Sequence, residues 1–388
     1  MSKNNDYLKG LGANERAILE RIPLLYLRKF AAGLVRAKER VQFTGWLQYL
    51  LPLIPILILS LLTLFSLLIK NIFMAKFFGG LGGLVLLIAL FDIVTVKFKI
   101  RPSEQLPHPI KKSNIFDLIR TRHSCRSFQT RLLTKAHRAN LMDSVQTHLA
   151  EQQIGTTKIR FEYIAAPLTV WPTVNASEFF VAITPKEYDR IAIIDVGRSL
   201  QKVVIDATSL NLGTCWIGPG ADHASIIENL GERFEPEKDQ IICVLAVGYI
   251  SKYIPMFIRL FNSRMSTTRL PISKLFFTNA TFKNPLNIDA LPFKKFGRSY
   301  EMCQWAPSSY NGQTTRCAAV TDKNGTPQGF DFYTATSSRY YAPLALGIWA
   351  ANWELSTTAL GLDGHFTVHP QEKKERLPRY DLSWVKSP

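Results

Sequence analysis

Apolar and polar positions follow three different rhythms along this chain, and each predicts a different kind of element. The longest uniform run is residues 46–69, which carry no charge. At about 1.5 Å per residue this run reaches roughly 36 Å, enough for a hydrocarbon core of ~30 Å. Pro52 and Pro55 predict a kink within it. A second apolar run, residues 77–96, is broken only by Asp92. Lys70 and Lys76 lie between the runs, so the pair predicts a transmembrane helical hairpin. A buried hairpin of a soluble core is the alternative, and two long runs in tandem disfavour it. Gly79 and Gly83 give a small-xxx-small spacing that lets two helices approach. Asp92, near a helix end, is expected to reach the membrane interface. Residues 1–45 mix Ala17, Ile18, Leu19, Ile22, Leu24, Leu25 and Leu27 with Arg16, Arg21, Arg28 and Lys29. This predicts an amphipathic helix resting on anionic lipid.

Beyond an extended, proline-punctuated linker at 97–112, the pattern shortens and becomes that of an α+β domain. Ser113 is placed to cap a helix over 114–121, and Thr134 one running toward Leu149. Residues 161–165, 179–183 and 241–247 are apolar runs of strand length. Asp195 reads as the cap of a helix carrying Leu200, Val203, Val204, Ala207 and Leu210 on one face. The helix stops near 211–213, and a loop at 214–220 follows. A similar helix is predicted over 341–362. A shift of 150 residues aligns Gly197 with Gly347, Thr208 with Thr358, Leu210 with Leu360 and Leu212 with Leu362. Such matches are what a diverged duplication leaves. The chain is therefore divided into 1–45, 46–96, 97–112, 113–275 and 276–388.

Charge sharpens the membrane reading. The 388 residues hold 47 Lys+Arg and 30 Asp+Glu, formally +17. Residues 1–45 carry nine basic and four acidic side chains, and 97–112 five and one, so +9 of the +17 flanks the apolar block. That placement points to lipid rather than nucleic acid. By the positive-inside rule it puts both termini and the soluble part in the cytoplasm, on a multi-pass membrane protein. The apolar block starts too deep for a signal peptide. Five scattered cysteines without Cys-x-x-Cys spacing argue against a disulfide framework or zinc site, and for a reducing compartment. His365 and His369 have no accompanying acid, so no metal site is expected.

Candidate chemistry sits in two short stretches. Arg122-His123-Ser124-Cys125-Arg126-Ser127-Phe128 gathers two guanidiniums, an imidazole and two hydroxyls, a set suited to a phosphate dianion. Ala306-Pro307-Ser308-Ser309-Tyr310-Asn311-Gly312-Gln313 is the second. The first resembles the Arg-x-Ser-x-Arg/Lys-x-Phe opening motif of the nitroreductase superfamily, and the second its Pro-Ser-x-x-Asn-x-Gln motif. Residues 195–218 are similar to the family's long interface helix and following loop. Arg269-Leu270-Pro271 resembles its late Arg-x-Pro. The resemblance covers about residues 113–388.

The resemblance implies an FMN-dependent oxidoreductase of nitroreductase fold, and it assigns the flavin-binding residues. Arg122, Ser124 and Arg126 fall on the phosphate and ribityl side, with His123 beside them. Arg269 would return to the phosphate. Pro307, Ser308, Ser309 and Asn311 would line the flavin edge, and Trp216, Ile217 and Gly218 would lie against the ring. Thr267 stands where the family often has a second basic residue. Thr314-Thr315 stand where Pro-Trp usually follows. Hydride would pass from a transient NAD(P)H through FMN to a small organic acceptor, a nitro compound or quinone, in ping-pong order. No side-chain nucleophile or general base is implied. Arg126 is the candidate cation near the ring.

Ordinary members are homodimers with the two motifs close in sequence. Here a whole half separates them. The expectation is two fused halves forming an internal pseudo-dimer in a monomer, with one flavin site complete and its mate lost. A membrane scaffold that kept the fold and lost turnover, with or without flavin, is the alternative.

Overall fold

The structure, a computed structural model, describes residues 19–20, 22–42, 45–110, 113–168, 170, 174–218, 221–265, 268–370 and 377–387. Thr267, part of the 1–45 segment and the end of the 214–220 loop lie outside the described residues. The chain forms two compact units, which divide at Arg101/Pro102.

The first unit is drawn from the chain up to Arg101, with Tyr253–Ile258 and a short piece near Asn175. Helix α1, Leu25–Gln42, buries Ala32 against Leu19, and Arg28 Nη2 donates to Ile22 O at 2.7 Å. Tyr26, Leu27, Phe30 and Leu34 stay exposed on α1. Helices α2, Leu53–Leu68, and α3, Ile72–Asp92, pack as a hairpin. Turn residues at Leu51 and Pro52 interrupt helicity before α2, where the prolines predicted a kink. The spans Gln48–Leu68 and Ile72–Lys97 are long and apolar enough to cross a membrane.

Two details differ from expectation. The second helix starts at Ile72, capped by the Asn71 side chain, so Lys76 lies inside it rather than in a loop. The close face is Gly79 with Gly82. A Cβ on Gly82 would lie 3.3 Å from Leu59, whereas Gly83 meets nothing within 4 Å. Ala75, Gly82 and Ala89, one every seventh residue, are the buried apolar positions of α3, the spacing of two helices wound gently together. Asp92, at the end of α3, is buried within the unit, and its Oδ2 accepts from Met256 N at 2.8 Å.

In the second unit the linker from Pro102 to Ile110 is extended, as expected, but laid on the domain. Leu106 packs on its core, and Ile110 N donates to Ser209 O at 3.0 Å. Helix α4, Ile115–Thr121, is capped by Asn114 Oδ1 accepting from Asp117 N, one residue later than the predicted Ser113. Helix α5, Lys135–Ala150, is capped by Thr134 as predicted.

The rest is one pattern written twice. Strands β1 (Arg160–Ile164) and β2 (Glu178–Pro185) lead to helix α6 (Arg190–Ser209). Strand β3 (Leu212–Ile217), helix α7 (His223–Leu230) and strand β4 (Asp239–Tyr249) follow, giving an antiparallel sheet ordered β1-β2-β4-β3. After helix α8 (Met256–Met265), the two-residue strand β5 (Phe276–Phe277) and helix α9 (Ser299–Gln304), the order recurs. Strands β6 (Thr315–Thr321) and β7 (Pro327–Thr334), helix α10 (Tyr341–Ala359), and strands β8 (Gly364–Thr367) and β9 (Arg379–Lys386) form a sheet ordered β5-β6-β7-β9-β8. Apart from β5, and from α7, which has no counterpart among the described residues between β8 and β9, the elements follow in the same order.

Asp189, not Asp195, caps α6, its side chain accepting from Ile191 N. Asp195 lies buried within the helix and accepts from Ile154 N and Gly155 N. Asn211, with φ near +57°, makes the predicted stop. Residues 212–217, four of which were expected as loop, form β3.

The two long helices cross at their aligned glycines. A Cβ on Gly197 would lie 2.3 Å from Leu344 O, and one on Gly347 would lie 2.0 Å from Ile194 O. Each glycine faces the carbonyl three residues before the other, the reciprocity of a twofold axis. The halves form the internal pseudo-dimer that the duplication implied. Each has its own core, one around Phe180, Val204 and Leu245, the other around Phe330, Trp353 and Trp384.

Candidate functional site

The two motifs emerge from a pair of helices that touch. Leu118 and Ile119 of α4 share an apolar cluster with Ile205 of α6 and Met302 of α9. Arg120 pairs with Glu301 at 3.0 Å, and Arg298 lies over Phe116 at 4.9 Å. Helix α4 ends at Thr121 and releases Arg122. Helix α9 ends at Gln304 and releases Trp305 and Ala306.

Beyond Arg122 the chain runs extended beside the first sheet. Ser124 bridges Thr214 in parallel and Phe128 bridges Ile250. Cys125 N donates to Thr214 O at 2.8 Å. Gly213 permits this approach, since a Cβ there would lie 2.7 Å from Cys125 Sγ. Arg122 itself is only 8% exposed. Its backbone N–H closes the last turn of α4, while its guanidinium has no hydrogen bond or carboxylate partner among the described residues. Burial, followed by the nearby charges of Arg269 and Arg126, pushes it down to about 10. Three guanidiniums thus share one neighbourhood, and among the described residues Arg122 and Arg269 have no carboxylate partner.

Arg269 ties this cluster to the second half. Its Nη1 donates to Asn311 Oδ1 at 3.0 Å and Ala306 O at 3.1 Å. Its Nε is buried with no partner, and burial lowers its basicity. Asn311 Nδ2 donates to Thr268 O at 2.8 Å, and Gln313 Oε1 accepts from Leu270 N at 2.7 Å. Ser308 Oγ accepts from Gln313 N at 2.9 Å. Tyr310, Asn311 and Gln313 all have positive φ, from 45° to 55°. Three non-glycine residues so placed in four positions make a strained turn of the kind found at binding sites.

The remaining predicted residues divide. His123 is exposed, its Nδ1 against Thr121 O, and no contact joins it to the cluster. Trp216 packs on the cores of both halves, and its Nε1 donates to Gln201 Oε1 at 3.3 Å. Ile217 is buried in β3. Gly218 abuts α10, where a Cβ would lie 2.7 Å from Tyr341 Cε1. Pro307 is half-buried and Ser309 exposed. Sequence reasoning did not single out Cys215 as a site residue, its thiol being raised by burial against the lowering charges of Arg126 and Arg122. Nor did it single out Trp305 or Tyr341. A bulky residue beside a motif looks the same whether it packs or lines a site.

A separate cluster of buried charge lies in the first half, where α5 ends against α6. The 150-residue shift pairs Asn352, which donates to Met302 O at 2.9 Å, with Lys202. Lys202 is buried between Glu151 and Glu354, the latter at 2.8 Å. Glu354 also pairs with Arg198 at 2.6 Å, and His148 bridges Glu151 (2.7 Å) and Asp206 (2.8 Å). Burial alone would lower His148, but its hydrogen bonds to Asp206 and Glu151 outweigh that and push it up to about 9. Glu151 precedes β1 as the second motif precedes β6.

The donor set suits a phosphate monoester: Arg122 is buried, Arg126 and Arg269 are partly buried nearby, and neither Arg122 nor Arg269 has a carboxylate partner among the described residues. No curated protein sequence matches the chain. Three solved structures are similar to it. A Thermotoga maritima "putative nitroreductase" is 17% identical, with 74% of this chain and 100% of that one covered, at TM-score 0.45. An FMN-dependent nitroreductase from Clostridium difficile R20291 is 18% identical, covering 35% and 87%, at TM-score 0.29. A nitroreductase with bound FMN from Bacteroides fragilis is 14% identical, covering 36% and 90%, at TM-score 0.31. The family model described as "Putative TM nitroreductase" matches residues 114–348, which is 235 of 388 residues. The chain belongs to this nitroreductase family.

Proposed function

We propose that the protein is a membrane-anchored, FMN-dependent oxidoreductase that takes electrons from NAD(P)H and passes them to a small organic acceptor, a nitro compound or a quinone. The observation that carries the reading is the buried, unpaired guanidinium of Arg122 beside Arg269 and Arg126, at the seam where Asn311 of the other half arrives. Such a cluster is unfavourable until an anion enters. A nitroreductase-family chain has the FMN phosphate to offer.

Bound FMN would accept hydride from the nicotinamide and release it to the acceptor. The chain's own residues hold and tune. Arg122, Ser124 and Arg269 would take the phosphate end. Ser308, Ser309, Pro307 and Asn311 would border the ring from the second half, and Ile217 and Gly218 from the first. His123, exposed and separate, would contribute through its backbone alone. Trp216, engaged with Gln201, would serve as a wall between the halves. Arg126 supplies positive charge that favours electron uptake. No side chain needs to move a proton to or from a substrate carbon. One flavin per chain is expected, because the second half carries no Arg-x-Ser-x-Arg between Phe276 and Gln304 and the first no Pro-Ser-x-x-Asn between Phe128 and Asp195, and a monomer suffices.

The hairpin would span the membrane with both termini and the flavin domain in the cytoplasm, and the apolar face of α1 would rest on anionic lipid. A lipid-soluble acceptor such as a quinone fits that placement. Purified protein supplied with FMN is expected to retain a yellow chromophore that bleaches anaerobically with NADH or NADPH. Protein that takes up no FMN would refute the reading and favour a flavin-less scaffold. A yellow protein that never bleaches would favour a flavin-binding scaffold.

A further inference from the structure

Arg269 sits among like charges with no carboxylate to hold it among the described residues, yet its guanidinium is in place before any anion arrives. Two contacts position it. Its Nη1 is tied to Ala306 O and Asn311 Oδ1. Its guanidinium carbon lies 5.3 Å from the centre of the Trp305 ring, within the range of a cation–π contact. Trp305 is itself fixed. It packs with Leu118, Ile119, Ile205 and Met302, and Arg120 lies over it at 5.6 Å while pairing with Glu301. Repulsion from neighbouring cations would otherwise favour rotation of a long, flexible arginine toward water. The aromatic ring attracts the cation without neutralising it, so the full charge and the unpartnered Nε remain available. A carboxylate in the same place would hold Arg269 equally well but would compete with the phosphate.

We propose that Trp305 is a positioning residue for the phosphate end of the site, holding the Arg269 guanidinium ready for a phosphate monoester. The inference rests on the FMN reading and adds the residue that makes recognition depend on the phosphate. FMN and riboflavin share the ring and ribityl chain and differ only in that group, so they separate this role from general packing.

The test is flavin titration of the full chain in detergent, with wild type, W305F and W305L each measured against FMN and riboflavin by fluorescence quenching. W305L is expected to weaken FMN roughly five- to thirty-fold, the size of one desolvated cation–π contact. Riboflavin affinity should stay within about twofold, and W305F should keep most of the FMN affinity. An equal loss of both flavins in W305L would make Trp305 a packing residue and overturn the proposal, as would no loss of either. If W305L does not fold, W305M, which fills the space without a ring, decides through the ratio of the two affinities. A loss confined to FMN supports the proposal, and an equal loss of both flavins, or none, overturns it. Wild type that binds neither flavin would instead refute the cofactor reading, and this role with it.

Discussion

Replacing Gly347 by alanine tests whether the halves are one assembly. The new methyl would lie 2.0 Å from Ile194 O and 2.9 Å from Arg198 N. Ordinary contact begins near 3.4 Å, so α6 and α10 must part by 3.4 − 2.0 = 1.4 Å at their crossing. Forcing an atom into a packed interior costs about 1–3 kcal/mol, and loss of the neighbouring contacts adds to it. Alanine returns up to about 1 kcal/mol of helix propensity. The net is a destabilisation of about 1–2 kcal/mol, a fall in Tm of roughly 2–8 °C for a domain of this size. The same displacement strains the Gln201–Asn352 hydrogen bond of 3.1 Å. It also shifts Asn311 relative to Arg122, so FMN affinity should fall with stability. Thermal unfolding by intrinsic tryptophan fluorescence, with FMN titration alongside, measures both. G80A, where nothing lies within 4 Å, is the control and should be neutral or slightly stabilising. A G347A protein as stable as wild type, with unchanged flavin affinity, would refute the close crossing.

Other expectations follow from single groups. R122A removes a buried cation and should lower FMN affinity by one to two orders of magnitude, about 1.5–3 kcal/mol for a charged hydrogen bond, while leaving Tm unchanged or raised because the unpaired charge is gone. His148 has its folded pKa raised to about 9, so its contribution is complete below its ordinary value near 6.5 and is lost as pH climbs through 9. Tm should therefore fall between pH 7 and 10, and H148Q should flatten that slope. Glu151 is held down at about 2 because hydrogen bonds from His148 and Lys202 outweigh burial. Its contribution is present above the ordinary carboxylate range and fades as pH falls toward 2. For the membrane reading, N71C in the hairpin turn should react with an impermeant maleimide only from the face opposite the flavin domain. Labelling from the same face would mean that the hairpin does not span.

The parts legible in the sequence were those with local causes. Thr134 caps α5 because its hydroxyl reaches the His137 N–H three residues on. The long apolar runs became hairpin helices because length and lack of charge leave few alternatives. The duplication showed through Gly197 and Gly347 because close approach of two backbones tolerates no side chain there. What failed was decided by distant residues. Asp195 has the composition of a cap, but Ile154 N and Gly155 N, 40 or more positions away, claim its carboxylate. Asp189, with no distinguishing neighbour, took the cap instead. Gly83 was chosen over Gly82 on spacing, and the register of α2 against α3 decided otherwise. At the site, the motifs named Arg122, Arg269 and Asn311. Their meeting through one Arg269–Asn311 hydrogen bond, and the tryptophan beneath it, needed the pseudo-dimer to be seen.

The central claim is that one flavin is held jointly by Arg122 of the first half and Asn311 of the second. Equilibrium titration of the full chain with FMN, repeated for R122A and N311A, tests it most directly. Saturation at one FMN per chain, weakened by substitution in either half, is the predicted result. Two FMN per chain, or binding that ignores N311A, would contradict it.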